Sequence, residues 1–169
     1  MDYFTLYNIP ISLKVNKEQV QTKFYELSKK YHPDLSFRLE GLQHEEALNL
    51  SAEINEAKKT LDDSYKRLEY ILKLKNIISI EEKQTLSNAF LGEMMDINEQ
   101  VMELEFGDKN PIQLQKIKNE IAQKEQELKA PLAAYFEQEE LMIDENGLEN
   151  LKEFYFKKKY LQRILDKLH

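Results

Sequence analysis

The chain has 169 residues, of which 41% are hydrophobic and 33% charged, with a formal net charge of −7. This length accommodates one compact domain or two small ones. With four glycines and four prolines, the chain lacks the turns that β-sandwiches and barrels need, and we expect an all-α protein. The absence of cysteine excludes disulfides and cysteine-ligated metals. The acidic balance argues against nucleic-acid binding, and no apolar stretch is long enough to cross a membrane.

Two helices are predicted at the start of the chain. A short one covers residues 2–7, and a longer one begins after Asn16, whose side chain can cap it. This second helix should stop at His32, because Pro33 disfavours the helical conformation in the residue before it. An irregular loop is expected from Pro33 onwards.

Apolar residues at helical spacing predict a third helix over residues 42–61 and a fourth over residues 64–75. The second and third helices should form an antiparallel helical hairpin, with short helices on either side. A short, largely apolar linker follows over residues 76–82, so we expect the modules on its two sides to touch.

The remainder of the chain predicts three more helices. One covers residues 87–106, and the next begins at Pro111 after an Asn110 cap and is interrupted by Pro131. The last runs from residue 148 to the end, and a three-helix bundle is the economical arrangement. The predicted domains are an N-terminal module at 1–75, the linker at 76–82 and the bundle at 83–169.

Charge is distributed unevenly between these two modules. No Lys or Arg lies between Lys83 and Lys109, a stretch that contains six acids. A solvated helix usually mixes both signs and gains from the resulting side-chain pairs, which a helix of one sign forgoes. The asymmetry therefore indicates two modules with different partners. The six acids are Glu93, Asp96, Glu99, Glu103, Glu105 and Asp108.

The sequence offers little material for an active site. There are three histidines, and no zinc-protease, nucleophile-elbow or phosphate-loop motif is present. His44 is interpreted as part of a solvated helix start, because one histidine cannot complete a metal shell, and His169 as a frayed terminus. We therefore expect no enzymatic activity, no catalytic residue, no bound metal and no cofactor.

The tripeptide His32-Pro33-Asp34 stands out at the tip of the predicted hairpin, separated from Lys29 and Lys30 by one residue. One interpretation is structural: a proline stops the helix and an aspartate begins a turn. The alternative is that the exposed tripeptide is a recognition motif. The layout of the surrounding helices resembles that of a known module, and this resemblance favours the second interpretation.

These residues resemble the J domain, the four-helix module that stimulates ATP hydrolysis by DnaK-type chaperones. The resemblance rests on Asp2-Tyr3-Phe4, Tyr31-His32-Pro33-Asp34 and Ile54-Asn55-Glu56-Ala57. Over the full length the chain resembles the HscB family of iron–sulfur assembly co-chaperones. The residues that carry this wider resemblance are Met1-Asp2-Tyr3-Phe4-Thr5-Leu6, Arg67-Leu68-Glu69-Tyr70-Ile71-Leu72 and Asn88-Ala89-Phe90-Leu91.

The resemblance implies a co-chaperone with two partners in a bacterial cytoplasm. The J domain would stimulate HscA, a specialised DnaK-type ATPase, and the bundle would deliver IscU, the scaffold on which an iron–sulfur cluster is assembled. The residues implied for chaperone binding are His32, Pro33, Asp34, Lys23, Lys29 and Lys30. Those implied for scaffold binding are Leu91, Gly92, Met95, Asp96, Glu99, Glu103 and Phe156.

The helix over residues 87–106 carries two neighbouring apolar stripes. The stripe that begins at Phe90 suits the bundle interior, and a second one, formed by Leu91, Met95 and Met102, suits an exposed partner site. The alternative is that both stripes form one wide arc that faces the core. The members of the first stripe are Phe90, Met94, Ile97, Val101 and Leu104.

The chain departs from the family pattern at two positions. Leu35 follows the tripeptide where J domains usually have Lys, and Gly92 stands where bacterial relatives have a large apolar residue. Two other functions stay open at this point. The chain could be a J-domain co-chaperone for a different client, or a helical structural adaptor without a chaperone role.

Overall fold

The structure, a computed structural model, describes residues 1–34, 43–79 and 86–168. Within these ranges every regular element is a helix, which confirms the all-α prediction. The chain divides into two compact units, Met1–Asn76 with Tyr135–Ile143, and Ile77–Ala134 with Asp144–His169. No helix in the described ranges has the length and apolar character of a membrane span. Several predicted features lie outside the described residues: the loop from Leu35 to Gly41, the helix start at Leu42, linker residues 80–82, and His169.

The first unit contains four α-helices over its described residues up to Leu74: α1 (Tyr3–Leu6), α2 (Lys17–Lys30), α3 (His44–Asp62) and α4 (Ser64–Leu74). Of these, α3 packs against each of the other three, and its contact with α2 is the one that the predicted hairpin requires. The helices begin and end within two residues of the predicted positions.

Polar caps fix where three of these helices begin. The side chains of Asp2, Asn16 and Asp63 each accept hydrogen bonds from backbone N–H groups in the first turn of the following helix. Those N–H groups have no partner within the helix, so each cap supplies a missing acceptor. The predicted Asn16 cap is confirmed.

Two buried polar side chains tie the first unit together. The Tyr7 hydroxyl donates to the carbonyl oxygen of Ile54 at 2.8 Å, and burial raises the pKa of Tyr7 to about 12. Arg67 donates from Nε and Nη2 to the carbonyl oxygen of Leu13, at 3.1 and 2.9 Å, and from Nη1 to that of Leu61. Arg67 thereby donates to a carbonyl in the last turn of α3, where the carbonyl groups have no N–H partner within the helix.

A segment from late in the chain, Tyr135–Ile143, belongs to the first unit. The Leu141 N–H donates to the carbonyl oxygen of Ile11 at 2.8 Å, and the Ser12 hydroxyl donates to that of Gln138 at 2.7 Å. Leu141 and Ser12 are both buried. No sequence pattern indicated this segment. The domain boundaries 1–75, 76–82 and 83–169 stay a prediction.

The second unit is built on three long helices. They are α5 (Asn88–Phe106), α6 (Pro111–Lys129) and α8 (Glu145–Lys167). Asn110 caps α6 and Pro111 occupies its start, as predicted. The helix ends at Lys129 and a 3₁₀ turn, Ala130–Leu132, follows, which confirms the predicted interruption at Pro131. The short helix α7 (Ala133–Glu137) comes next.

One hydrophobic core joins α5, α6 and α8. All five residues of the predicted interior stripe on α5 are buried in it. Side-chain contacts add to the packing: the Asn98 amide donates to the Tyr160 hydroxyl at 2.7 Å, and the Lys157 ammonium lies 5.4 Å from the centre of the Phe90 ring. The three helices therefore form the predicted bundle. The buried residues of the core are Phe90, Met94, Ile97, Val101, Leu104, Ile117, Ile121, Leu161 and Ile164.

Candidate functional site

The tripeptide lies immediately after the end of α2. The helix ends at Lys30, and the N–H of its C-cap residue Tyr31 donates to the carbonyl oxygen of Leu27 at 3.0 Å, which is the ordinary spacing of an α-helical hydrogen bond. This end is two residues before the predicted stop at His32, because Pro33 is incompatible with the following turn. The histidine and aspartate of the motif are both exposed.

A local hydrogen bond orients the His32 ring. Its Nδ1 accepts from the Asp34 N–H at 3.2 Å, and the Asp34 carboxylate oxygen lies 3.7 Å from the same nitrogen. A neutral imidazole that accepts at Nδ1 carries its proton on Nε2. The turn therefore presents a donor, the Nε2–H, and an acceptor, the Asp34 carboxylate, both accessible to a partner.

The lysines of α2 differ in what they contact. Lys29 and Lys30 are exposed in the last turn, and the Lys30 ammonium lies 5.1 Å from the centre of the Tyr31 ring. Lys23 is only partly exposed, and its ammonium lies 3.8 Å from the Glu26 carboxylate. Cations in a last turn also complement the helix dipole. Lys29 and Lys30 thus place positive charge beside the motif, whereas part of the Lys23 charge is neutralised.

In the second unit, α5 presents an exposed apolar stripe. Leu91 is 38% exposed and Met95 71% exposed, while their neighbours Phe90 and Met94 point into the core. Met102 continues the stripe and is exposed as well. The two predicted stripes therefore lie on different faces, and the alternative of one wide core-facing arc is wrong. This separation leaves the second stripe available to a partner.

Carboxylates flank this stripe. Asp96, Glu99 and Glu103 are exposed, and none of them forms an ion pair with a Lys or Arg of the described residues. Glu93, by contrast, pairs with Lys124 of α6, and this hydrogen bond lowers the pKa of Glu93. The exposed face of α5 is therefore apolar along its middle and negative along its edge.

Gly92 lies on the same exposed side of α5. A Cβ atom added at this position would meet no atom within 4 Å. The glycine is therefore not required by packing, and a larger side chain such as those of the family pattern could be accommodated. Its presence leaves a shallow gap beside Leu91.

Phe156 belongs to α8 rather than to α5. It is buried, and its ring meets that of Tyr155 edge-on at 5.1 Å between centroids. The structure thus brings six of the seven predicted scaffold-binding residues together on one helix and places the seventh in the interior. A buried ring cannot contact a partner without a rearrangement of its surroundings.

Comparison with known families covers both halves of the chain. A model described as the HSCB C-terminal oligomerisation domain matches residues 86–169, and a DnaJ domain model matches residues 2–70. The chain belongs to the HscB family. The first match contains α5, and the second contains the tripeptide. The exposed tripeptide therefore lies in one of the two matched domains, and the exposed face of α5 lies in the other.

Curated relatives carry the same family name. The co-chaperone protein HscB of Proteus mirabilis is 33% identical over 106 residues, 62% of this chain and 61% of that protein. The HscB homolog of Vibrio cholerae serotype O1 is 35% identical over 102 residues, 60% of each chain. The matched region thus spans about three fifths of the length of these relatives.

Solved structures agree with the fold. The crystal structure of the human co-chaperone protein HscB is 28% identical, with a TM-score of 0.79 over 99% of this chain and 80% of that one. The chaperone HscB from Vibrio cholerae is 24% identical, with a TM-score of 0.65 over the whole of both chains. The second likeness shows the shared fold alone.

Within this HscB-family fold, sequence reasoning missed one exposed residue of α5. Phe106 is the last residue of the helix and is 84% exposed. The chain turns directly after it at Gly107, where an added Cβ would lie 2.8 Å from the carbonyl oxygen of Glu103. The signal was present in the sequence, because Phe106 lies eleven residues after Met95, about three helical turns.

Proposed function

We propose that this HscB-family protein is a co-chaperone of iron–sulfur protein maturation in a bacterial cytoplasm. Its J domain would stimulate the ATPase of a DnaK-type chaperone, HscA. Its C-terminal bundle would bind the scaffold protein IscU and deliver it to that chaperone. The family assignment supports the co-chaperone role, and the exposed His32-Pro33-Asp34 turn is the single observation that carries it.

The turn suits a binding mechanism rather than catalysis by the co-chaperone itself. His32 offers a donor and Asp34 an acceptor, and Lys29 and Lys30 add positive charge next to them. An ATPase that binds this surface more tightly in its hydrolysis-competent state is shifted toward that state. Pro33 would hold the two polar side chains in place, and Lys23 would contribute less because Glu26 lies beside it.

The exposed face of α5 suits the second partner. Leu91 and Met95 would be the apolar anchors that supply most of the affinity, with the Gly92 gap between them receiving a side chain of IscU. Asp96, Glu99 and Glu103 would steer encounter with a basic surface, an effect on the association rate. Phe156 is left out of this surface because it is buried.

The test of this proposal is the rate of ATP hydrolysis by purified HscA with and without the full chain. Replacing His32 by Gln should abolish stimulation while leaving the free energy of unfolding within about 0.5 kcal/mol, as is usual for exposed positions. His44, an exposed histidine at the start of α3, offers the matched control. His44→Gln should stimulate like the wild type.

Two results would contradict the proposal. If His32→Gln still stimulates the ATPase, the tripeptide is not the activating motif. If His32→Gln and His44→Gln lower stimulation equally while both remain folded, the effect is not specific to the turn. In either case the J domain would have another role.

A further inference from the structure

The apolar face of α5 continues past the residues proposed above to contact the scaffold. Met102 is 57% exposed and Phe106, at the helix end, is exposed to an even greater extent. Met102 lies eleven residues after Leu91, and Phe106 lies eleven after Met95. Eleven residues are close to three turns, so each pair points in nearly the same direction. The four side chains form one stripe that extends about 22 Å along the helix.

Negative charge accompanies this extended stripe to its end. Met102 has Glu99 three residues before it and Glu105 three residues after it, and Glu103 stands three residues before Phe106. Side chains at this spacing are neighbours on a helix surface. None of these three glutamates pairs with a Lys or Arg within the described part of the chain, and α5 itself contains neither residue type.

Exposed apolar stripes of this size usually bind a partner. The charge around this stripe distinguishes two kinds of partner, a second copy of this chain and a different protein that carries Lys or Arg. In a symmetric dimer the same patch is used by both copies, so two α5 faces would bring their carboxylates together. Like charges brought into contact oppose association. A partner that matches the apolar stripe and carries Lys or Arg around it avoids this repulsion.

We propose that the docking surface for the basic scaffold partner covers the full length of α5, with Met102 and Phe106 as further apolar anchors. This inference rests on the proposed function. It extends the apolar contact from the single turn between Leu91 and Met95 to about four helical turns, from Leu91 to Phe106. The inference also means that the exposed face of α5 binds a different protein rather than a second copy of this chain.

The test uses the full chain and purified IscU, with binding measured by titration calorimetry. The double variant Met102→Ala/Phe106→Ala should bind at least about tenfold more weakly, since truncating two apolar anchors of an interface commonly has such an effect. Leu91→Ala/Met95→Ala should show a similar loss. The control is Met142→Ala, because Met142 is 72% exposed and lies in the first unit. It should bind like the wild type.

The salt dependence of binding and the oligomeric state in sedimentation distinguish a basic partner from a second copy of this chain. Raising NaCl from about 0.05 to 0.5 M should weaken binding of a basic partner, whereas it would strengthen self-association by screening the carboxylates. In sedimentation experiments we expect no self-association that Met102→Ala/Phe106→Ala weakens, at either concentration. A dimer that strengthens with salt and that Met102→Ala/Phe106→Ala dissociates would overturn the inference in favour of a second copy.

The remaining outcomes separate this inference from the function on which it rests. If Leu91→Ala/Met95→Ala weakens binding and Met102→Ala/Phe106→Ala does not, the longer surface is wrong and the scaffold role stands. If both double variants bind IscU as tightly as the wild type, the scaffold role of α5 is wrong as well.

Discussion

Met94 and Met95 are adjacent on α5 and chemically identical, yet they have opposite environments. Met94 is 1% exposed and belongs to the bundle core, whereas Met95 projects into solvent. Alanine at Met94 removes buried methylene groups and leaves a cavity, which typically lowers the free energy of unfolding by about 2–5 kcal/mol. Alanine at Met95 should change that free energy by no more than about 0.5 kcal/mol, because nothing packs over it.

The functional effects should run in the opposite order. Met95→Ala should weaken IscU binding about tenfold, since an exposed apolar anchor contributes chiefly to the complex. Met94→Ala should bind with nearly wild-type affinity at a temperature where the variant remains folded. The pair thus separates stability from binding at two consecutive positions of the same residue type.

Urea unfolding followed by far-ultraviolet circular dichroism measures the change in the free energy of unfolding. Titration with IscU measures the change in affinity. Hydrogen exchange of the α5 amides identifies which unit is affected. A loss of more than about 2 kcal/mol in Met95→Ala, as for a truncated core residue, would show that Met95 belongs to the bundle interior. Unchanged IscU affinity in that variant would remove Met95 from the partner surface.

Three further predictions concern stability. Arg67→Met should lower the free energy of unfolding by about 2–4 kcal/mol in urea titrations, because the carbonyl oxygens of Leu13 and Leu61 lose their donor. A loss below about 1 kcal/mol would contradict the stabilising role of Arg67. Since burial raises the pKa of Tyr7 from 10.0 to about 12, the folded state favours the neutral phenol, and the resulting stabilisation is complete below pH 10 and lost toward pH 12. The wild type should therefore lose more stability than Tyr7→Phe over that interval, and equal losses would contradict the assignment. Gly92→Ala should raise the free energy of unfolding by about 0.5–1 kcal/mol, because glycine is unfavourable in a helix interior and the added Cβ would meet no other atom. An unchanged urea midpoint would contradict this prediction.

Local sequence patterns accounted for every helix of the described residues longer than three turns, for the short α1, and for the two faces of α5, but not for α7. Caps such as Asn16 and Asn110 act within one turn, so the sequence around them is sufficient to locate a helix start. The spacing of Met94 and Met95 likewise determines which of them can reach the neighbouring helices. In both cases the relevant contacts follow from the helix geometry.

Contacts between distant residues were not predictable in this way. The hydrogen bond from Ser12 to Gln138 joins residues 126 positions apart and involves a backbone carbonyl, which leaves no pattern in the sequence. Phe156 was assigned to the partner surface by resemblance, but its burial depends on how the first half of α8 packs. Val20, Phe24 and Leu27 of α2 show the same limit: they share helical spacing, yet Val20 is buried while the other two are only partly covered.

The two exposed sites share a property that explains how one chain could join two partners. The Asp34 carboxylate and the Met95 side chain contribute little to the core of their own units, so each is available to bind without loss of stability. The sites lie in different compact units of one covalent chain. A partner bound to one site is thereby tethered to the chain that carries the other, and such tethering favours a second binding event even when each separate affinity is modest. Under the proposed function, this covalent connection is what would turn two weak encounters into delivery of IscU to HscA.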